Sequence, residues 1–385
     1  YTPAMQYRSF PRMPGLRASV LGLGAMRLPV VGGVEGSIDG PALDGILRAA
    51  REAGINYLDT AYVYHDGHSE EAVGRALDRT GLRGEFLLAT KSPVWLVKPE
   101  NDWDRLLEEQ LERLGTDRID FYLLHALNAP RWRRVERQNG IRFLERAKAD
   151  GRIGHAGFSF HDSAALFRTI VDAWEGWDFC QVQYNYLDTD FQAGLDGIRY
   201  AASRNLGVVV MEPMRGGSLA ALPPEARAVF SRWPRPRMPA EWALRYALEP
   251  QEVTVVLSGM GSETQVWENA AVADAARPNS LTLRELALYS EVRDFFRERM
   301  PVPCTTCGYC MPCPHKVLIP DVFDMYNTAS LFLDRLENRK SFYRSAYRNH
   351  GNGGDSCVSC GECVPKCPQG IAIPERLAAA DAFLA

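Results

Sequence analysis

The sequence of 385 residues lacks several features that would each define a class of protein. No apolar run approaches the ~20 residues that a membrane-spanning helix needs, and the N-terminus has no signal-peptide apolar segment. A strong excess of positive charge is also missing: the formal net charge is −4, which argues against an extended nucleic-acid or anionic-membrane surface. We therefore expect a cytoplasmic protein that binds neither nucleic acid nor membrane.

Cysteine is scarce over most of the chain and crowded at its end. Cys180 is the only cysteine before residue 304, and the other eight lie between Cys304 and Cys367. Without a secretory signal, this crowding indicates metal ligation in a reducing compartment rather than a disulfide framework. The hydrophobic fraction of 46% and charged fraction of 24% are those of an ordinary globular protein. The length suits one large domain with a small module.

From about residue 18 to residue 272, short apolar runs alternate with amphipathic helical patterns. Several runs are continuously apolar, which is typical of parallel strands covered on both faces. Strands and helices alternating over roughly 250 residues predict a (β/α)8 TIM barrel. A doubly wound sheet is the alternative, but the turn at Gly22-Leu23-Gly24 does not complete G-x-G-x-x-G because residue 27 is Arg. The predicted strands are Ser19–Gly22, Tyr57–Asp59, Phe86–Lys91, Ile119–His125, His155–Ser159, Phe179–Tyr184, Val208–Met211 and Val253–Leu257.

Four ionisable residues follow or end the predicted strands, where barrel enzymes carry their chemistry. Asp59 ends the second strand, Tyr64 follows five residues later, Lys91 ends the third strand and His125 ends the fourth. These residue types suit carbonyl reduction, in which an alkoxide forms and must be protonated. A phenol with a free pKa of ~10 is a poor acid near neutral pH unless a cation stabilises its phenolate. We expect Lys91 to supply that cation, Asp59 to hold it, and His125 to donate a hydrogen bond to the carbonyl oxygen.

The chain resembles the aldo-keto reductase family over about residues 5–275. The four ionisable residues occupy the positions of the family's Asp-Tyr-Lys-His tetrad. The resemblance implies NADP or NAD as cofactor and a small carbonyl or alcohol compound as substrate. It also implies that Ser159 and Gln181 bind the nicotinamide carboxamide, that Met211 stands where the family often stacks a Tyr on the ring, and that Glu268-Asn269 contacts the adenine end. The implied cofactor contacts are Gly24, Ala25, Met26, Ser159, Gln181, Met211, Ser258, Gly259, Met260, Gln265, Glu268 and Asn269.

The chain departs from the family pattern at two places in the implied cofactor site. Phe160 follows Ser159, where many members have Asn. The loop 258–265 lacks the Lys and Arg that many members use to bind the 2′-phosphate of NADPH, and Gln265 stands where that Arg is expected. We therefore predict weak discrimination between NADH and NADPH.

The eight C-terminal cysteines form two runs that both end in Cys-Pro. The second run has the spacing of bacterial ferredoxins, and the first is one residue shorter before its fourth cysteine. They predict two [4Fe–4S] clusters. In two-cluster ferredoxins the fourth cysteine ligates the other cluster, which would move Cys367 to the first cluster and Cys313 to the second. Local ligation within each run and zinc ribbons are the alternatives. The runs are Cys304-x2-Cys307-x2-Cys310-x2-Cys313 and Cys357-x2-Cys360-x2-Cys363-x3-Cys367.

These observations divide the chain into a barrel, residues 5–285, and a helical ferredoxin-like iron–sulfur domain, residues 286–385. The leading hypothesis is an NAD(P)(H)-dependent oxidoreductase that interconverts a carbonyl and an alcohol with Tyr64 as acid/base, coupled to two [4Fe–4S] clusters. An electron-transfer partner is left open, and so are clusters with a purely structural role. The alternative function is an electron-transfer protein whose barrel is a docking scaffold. The presence of all four ionisable residues, Asp59, Tyr64, Lys91 and His125, favours the oxidoreductase hypothesis, because a docking scaffold does not need them.

Overall fold

The computed structural model of the chain describes residues 4–332 and 336–385. The chain forms two compact units: Tyr1–Pro213 with Ala240–Leu281, and Met214–Pro239 with Thr282–Ala385. The second unit therefore includes a segment that interrupts the first one along the chain. The domain boundary at residue 285 stays a prediction. None of the described helices combines the length and the apolar composition needed to cross a membrane.

A short antiparallel hairpin, which the sequence patterns did not predict, precedes the barrel. Its strands are β1 (Tyr7–Ser9) and β2 (Arg17–Ser19). Phe10 follows β1, is buried, and lies with its ring centroid 5.0 Å from that of Phe121. Gly207 leaves room for this ring, because a Cβ at that position would lie 2.0 Å from Phe10 Cδ1. Aromatic packing thus fills the N-terminal end of the barrel and leaves the opposite end for chemistry.

The first unit contains a closed barrel of eight parallel strands, in the order β10-β3-β4-β5-β6-β7-β8-β9. This topology confirms the predicted TIM barrel and rules out the doubly wound sheet. Each predicted strand is present, with ends that differ by no more than two residues. The strands are β3 (Leu21–Gly24), β4 (Tyr57–Asp59), β5 (Leu87–Ser92), β6 (Ile119–Leu127), β7 (Ile153–Phe160), β8 (Phe179–Gln183), β9 (Gly207–Met211) and β10 (Val253–Ser258).

Helices alternate with the barrel strands, and local signals set their ends. Asp39 precedes the first helix and accepts a hydrogen bond from the Ala42 N–H at 3.0 Å, which caps the helix. Apolar residues at helical spacing, such as Leu43 and Leu47, form its buried face. The helices are α1 (Gly40–Glu52), α2 (Ser69–Thr80), α3 (Asp102–Leu114), α4 (Ala129–Arg137), α5 (Gly140–Ala149), α6 (Ala164–Asp172), α7 (Gly194–Ser203), α8 (Pro224–Phe230), α9 (Pro239–Leu248) and α10 (Glu263–Ala275).

The second unit is helical and has a small apolar core of its own. Its 17-residue helix α11 (Leu283–Arg299) begins at a capping box, in which Thr282 and Glu285 each bond the backbone N–H of the other. Buried side chains such as Phe323 and Leu377 form the core, and six of the eight C-terminal cysteines border it. The structure therefore confirms a helical module after the barrel. Its other helices are α8, which lies in the segment Met214–Pro239, and α12 (Ile319–Leu331), α13 (Leu336–Ala346) and α14 (Ile373–Leu384).

Candidate active site and cysteine groups

Lys91 is the centre of a buried polar cluster at the C-terminal end of the barrel strands. Its ammonium group donates hydrogen bonds to Asp59 Oδ1 at 2.5 Å, to the Thr60 carbonyl oxygen at 2.7 Å and to Tyr64 Oη at 3.2 Å. Lys91 is 1% exposed and Asp59 is 2% exposed, so solvent screens the pair very little. Three of the four predicted catalytic residues are therefore in direct contact.

Burial shifts the pKa values of this pair in opposite directions. It raises the pKa of Asp59 and lowers the pKa of Lys91, while their mutual attraction opposes both shifts. The Asp59 carboxylate accepts hydrogen bonds from both Lys91 and Gln181, which favours its charged form. A charged pair at this position places a cation beside the Tyr64 oxygen, which favours the phenolate form of that side chain.

His125 lies near the end of β6, and its ring lies beside that of Tyr64. Its ring centroid is 6.1 Å from that of Tyr64 and 5.2 Å from that of Trp95. Burial lowers the pKa of His125 well below its usual value, and the positive charges of Lys91 and Arg131 lower it further. The imidazole is therefore neutral near pH 7, where one ring nitrogen carries a hydrogen that it can donate. The structure brings all four predicted catalytic residues together.

A second buried carboxylate, Glu70, supports Lys91 and was missed by sequence reasoning. Glu70 is fully buried and accepts a hydrogen bond from Gln110 Nε2 at 2.5 Å. Gln110 also donates to the Lys91 carbonyl oxygen at 3.1 Å, so this network holds the backbone from which the Lys91 side chain extends. The signal was present in the sequence, since Glu70 shares the helical face of Val73 and Leu77, where a charged residue is unusual.

Ser159 and Gln181, the implied carboxamide ligands, lie side by side on β7 and β8 and are both buried. Gln181 Nε2 donates to Asp59 Oδ2 at 3.0 Å, across the mouth of the barrel. Ser159 Oγ accepts a hydrogen bond from the Ala126 N–H, next to His125, at 2.7 Å. Each side chain thus contacts a predicted catalytic residue or its chain neighbour, a connection that the sequence motifs did not indicate.

A second group of implied cofactor contacts forms around the end of β3. A Cβ on Gly24 would lie 3.6 Å from the Ser258 carbonyl oxygen, an ordinary van der Waals distance, so the end of β3 lies beside the loop that follows β10. Asn269 Nδ2 donates to Ser258 Oγ at 3.1 Å, and Gln265 Oε1 accepts from the Gly261 N–H at 2.8 Å. The Gln265 amide therefore binds its own loop. Backbone beside a helix N-terminus suits the binding of nucleotide phosphates.

The remaining implied contacts differ in their exposure. Ala25 and Met260 are buried, and Met26 is half-buried. Met211 ends β9 and packs against the apolar cluster inside the barrel, so its side chain borders the interior. Glu268 is exposed, and its side chain reaches solvent rather than the barrel.

Arg27 is a basic residue beside this loop that sequence reasoning overlooked. A Cβ on Gly259 would lie 3.2 Å from Arg27 Cβ, and a Cβ on Gly261 would lie 3.6 Å from the Arg27 carbonyl oxygen. Arg27 follows β3, whereas the loop follows β10, and only the pairing of these two strands brings them together. The loop itself contains no cation, but the stem of the Arg27 side chain lies beside it. Arginine is a common phosphate-binding residue.

In the second unit, three cysteines of the first run and one distant cysteine line one cavity. Apolar residues such as Phe323 form much of the wall of this cavity. Cys367 comes from the second run, so the thiols that line this cavity are the same four that the crossed arrangement predicts for the first cluster. Four thiols around one cavity fit the ligand set of a [4Fe–4S] cluster. The cysteines that line the cavity are Cys304, Cys307, Cys310 and Cys367.

The other four thiols are also near one another. Burial raises the pKa of Cys363, and the neighbouring thiols of Cys357, Cys360 and Cys313 raise it further. Cys313, from the first run, therefore stands with the second run, as the crossed arrangement requires. Across residues 4–332 and 336–385, no three His, Cys, Asp or Glu side chains are grouped as one metal ion would need. A cubane of four irons and four sulfides sets its thiolate ligands further apart than a single ion does.

Arg215 places a buried positive charge in the unit that carries the cysteines. It donates a hydrogen bond to Met300 Sδ at 2.9 Å, and Met300 precedes Cys304 by four residues. Burial raises the pKa of Cys304 to about 11, and the charge of Arg215 acts in the opposite direction. A cation at this position favours the more negative, reduced form of any cluster held by Cys304.

A closed (β/α)8 barrel with a buried Asp-Lys-Tyr contact and a neutral His at its mouth defines a class of oxidoreductases. The sequence pattern of the aldo/keto reductase family matches residues 20–280, and that of a 4Fe-4S dicluster domain matches residues 303–372. The chain therefore belongs to the aldo/keto reductase family, in the subgroup with a C-terminal 4Fe–4S domain.

Individual relatives agree with this assignment. The chain is 28% identical over 282 residues to L-galactose dehydrogenase of Arabidopsis thaliana, covering 67% of this chain and 85% of the relative. It is 29% identical over 241 residues to D-threo-aldose 1-dehydrogenase of a Pseudomonas species, covering 55% and 70%. A holo-form aldo-keto reductase of Bacillus halodurans is similar in structure, with a TM-score of 0.60 and 27% identity over 75% of this chain and 96% of that one. The chain is thus an oxidoreductase.

Proposed function

We propose that the protein interconverts a small-molecule carbonyl and an alcohol with NADP or NAD as cofactor and Tyr64 as the acid/base. The observation that carries the proposal is the contact of 3.2 Å between the Lys91 ammonium and Tyr64 Oη, with Lys91 anchored on buried Asp59. A nearby cation is what a phenol needs to exchange protons near neutral pH. The nicotinamide, when bound, supplies the hydride or accepts it.

The side chains divide the remaining work. In the direction of reduction, Tyr64 gives its proton to the substrate oxygen, and the Lys91 ammonium stabilises the phenolate that remains. Neutral His125 donates a hydrogen bond to the same oxygen as negative charge develops on it. Asp59 keeps the ammonium in place throughout. Burial strengthens each of these interactions, because water does not screen them.

The residues that would hold the cofactor fall into three parts. Ser159 and Gln181 would hold the carboxamide, with Met211 beside the ring. The backbone around Gly24 and the loop 258–265 would hold the phosphates and ribose, since the two segments lie side by side at the ends of β3 and β10. Arg27, which lies over the same loop, would contribute a positive charge to the phosphates.

We further propose that the second unit carries two [4Fe–4S] clusters with crossed ligation. The support is the shared cavity of the first three cysteines with Cys367, and the proximity of Cys313 to the second run. Bound clusters supply or accept single electrons. The alternative, an electron-transfer protein on an idle barrel, is not favoured, because the barrel keeps an assembled Asp-Lys-Tyr contact.

The experiment that tests the acid/base role is Tyr64→Phe, assayed on a substrate found by an unbiased screen with NADH and NADPH after anaerobic purification. We expect turnover to fall by about 10²–10⁴-fold while cofactor affinity stays nearly unchanged. Tyr62→Phe is the matched control: Tyr62 donates to Glu109 at 3.0 Å, away from Lys91, and its loss should leave turnover intact. A Tyr64→Phe enzyme with more than half of wild-type turnover would remove Tyr64 from the mechanism.

A further inference from the structure

The residue directly after His125 has an unfavourable backbone conformation. Ala126 is fully buried and has a φ of 53°, in the left-handed region that a residue with a Cβ seldom adopts. The pairing of β6 with β7 also slips at this place, between Leu124 and Leu127. Such outliers persist only where the surroundings enforce them, and they are frequent at functional sites. Something must therefore hold Ala126 in place.

Two side chains from different elements hold the backbone of Ala126. Its N–H donates to Ser159 Oγ on β7 at 2.7 Å, and its carbonyl oxygen accepts a hydrogen bond from Arg131 Nη1 on α4 at 2.7 Å. Because a buried backbone group without a partner is costly, these two bonds favour the left-handed conformation over an extended one. Ala126 is thus clamped from both sides.

The rest of the Arg131 side chain is also fixed. Asn128 caps α4 by accepting a hydrogen bond from the Arg131 N–H at 3.0 Å, which sets where the helix presents this residue. The guanidinium lies 4.5 Å from the ring centroid of Trp95, and that ring lies 5.2 Å from the His125 ring. If Ala126 relaxed to extended backbone, the His125–Ala126 peptide would rotate and the imidazole would move relative to Tyr64.

We propose that Arg131 is a positioning residue for His125: together with Ser159 it clamps Ala126 in the left-handed conformation and so keeps the imidazole directed at the substrate oxygen. This inference rests on the proposed role of His125 in carbonyl reduction. Arg131 acts through the backbone in this scheme and does not touch the substrate.

The test is a rescue experiment. Arg131→Met removes the hydrogen-bond donor but keeps an unbranched apolar stem, and we expect kcat to fall about tenfold with KM and cofactor affinity unchanged. Glycine adopts the left-handed region without steric cost, so adding Ala126→Gly should restore most of the lost kcat. If Arg131 instead binds the substrate, KM will rise and Ala126→Gly will restore nothing, which overturns the proposal.

Two controls separate the possible failures. Arg134→Met, on the same helix, removes a hydrogen bond to the Trp95 carbonyl oxygen but none to Ala126, and should leave kcat unchanged. His125→Gln tests the proposed function: if it retains turnover, the role of His125 is wrong. If His125→Gln is inactive while Arg131→Met keeps wild-type kcat, only the clamp is refuted.

A measurement independent of turnover tests the strain itself. Ala126→Gly in the otherwise wild-type protein should raise the midpoint of thermal unfolding, because it removes the Cβ from a left-handed residue. A lower midpoint would show that Ala126 is not held in that conformation and would overturn the proposal.

Discussion

Replacing Asp59 with Asn would leave the Lys91 ammonium buried without its counter-charge. The pair is joined at 2.5 Å, and its side chains are 1% and 3% exposed. Removing one partner of such a buried pair typically costs ~3–5 kcal/mol. Because domains are stable by only ~5–15 kcal/mol, Asp59→Asn should still fold but with a clearly lower denaturation midpoint. Turnover should fall at the same time, because the ammonium loses the group that anchors it beside Tyr64.

The double variant Asp59→Asn/Lys91→Met shows whether this cost comes from the unpaired charge. Removing both charges leaves no buried ion, so we expect the double variant to be more stable than Asp59→Asn although it carries one more substitution. Both variants should be nearly inactive. The assay is anaerobic urea unfolding followed by tryptophan fluorescence, with turnover measured on the same preparations.

An exposed pair provides the control for this cycle. Asp44→Asn breaks the contact of 2.7 Å with Arg79, whose side chain is 45% exposed, and should cost no more than ~1 kcal/mol. The reasoning is refuted if the losses of unfolding free energy in Asp59→Asn and in Lys91→Met add up to the loss in the double variant within ~0.5 kcal/mol. Such additivity would mean that the two residues do not interact.

Three further predictions concern the cofactor, the clusters and acid stability. Fluorescence titration should show weak discrimination between NADH and NADPH, and a thousandfold preference of the wild type for NADPH would contradict this. Arg27→Leu should weaken the binding of both cofactors about tenfold by removing one charge-assisted contact. Anaerobic protein should carry about eight irons and eight sulfides per chain, and Cys367→Ser and Cys304→Ser should perturb the same EPR signal; four irons, stoichiometric zinc, or effects on different signals would contradict it. Burial lowers the pKa of His161 to about 4, so as pH falls from ~6.5 the unfolded chain binds a proton that the folded chain does not. The free energy of unfolding should then drop by about 1.4 kcal/mol per pH unit between pH ~6.5 and ~4 because of this residue. The His161→Gln variant should lack this part of the pH dependence. Equal slopes of unfolding free energy against pH for wild type and variant, measured by urea unfolding, would contradict the prediction.

Much of the fold and of the site followed from local sequence alone. Apolar runs and helical periods are short-range patterns, and they predicted all eight barrel strands with small errors at their ends. The C-terminal ends of parallel strands lie at one end of a barrel, so the sequence positions of Asp59, Lys91 and His125 predict that these side chains lie close together. The cysteine runs are local too, because covalent spacing sets which thiolates can reach one cluster. The hairpin that carries Phe10 had no comparable signal, since its strands are only three residues long.

Only the tertiary structure determined the contacts between residues that lie far apart in the chain. Gln181 reaches Asp59 across 122 positions of the chain, and no motif joins the two residues. Arg27 comes to lie over Gly259 only because β3 closes the barrel against β10. Cys367 enters the cavity of the first run through the packing of the second unit's core. Hydrophobic periods and covalent spacing are local properties of a sequence, whereas these contacts depend on barrel closure and core packing, which join residues far apart in the chain.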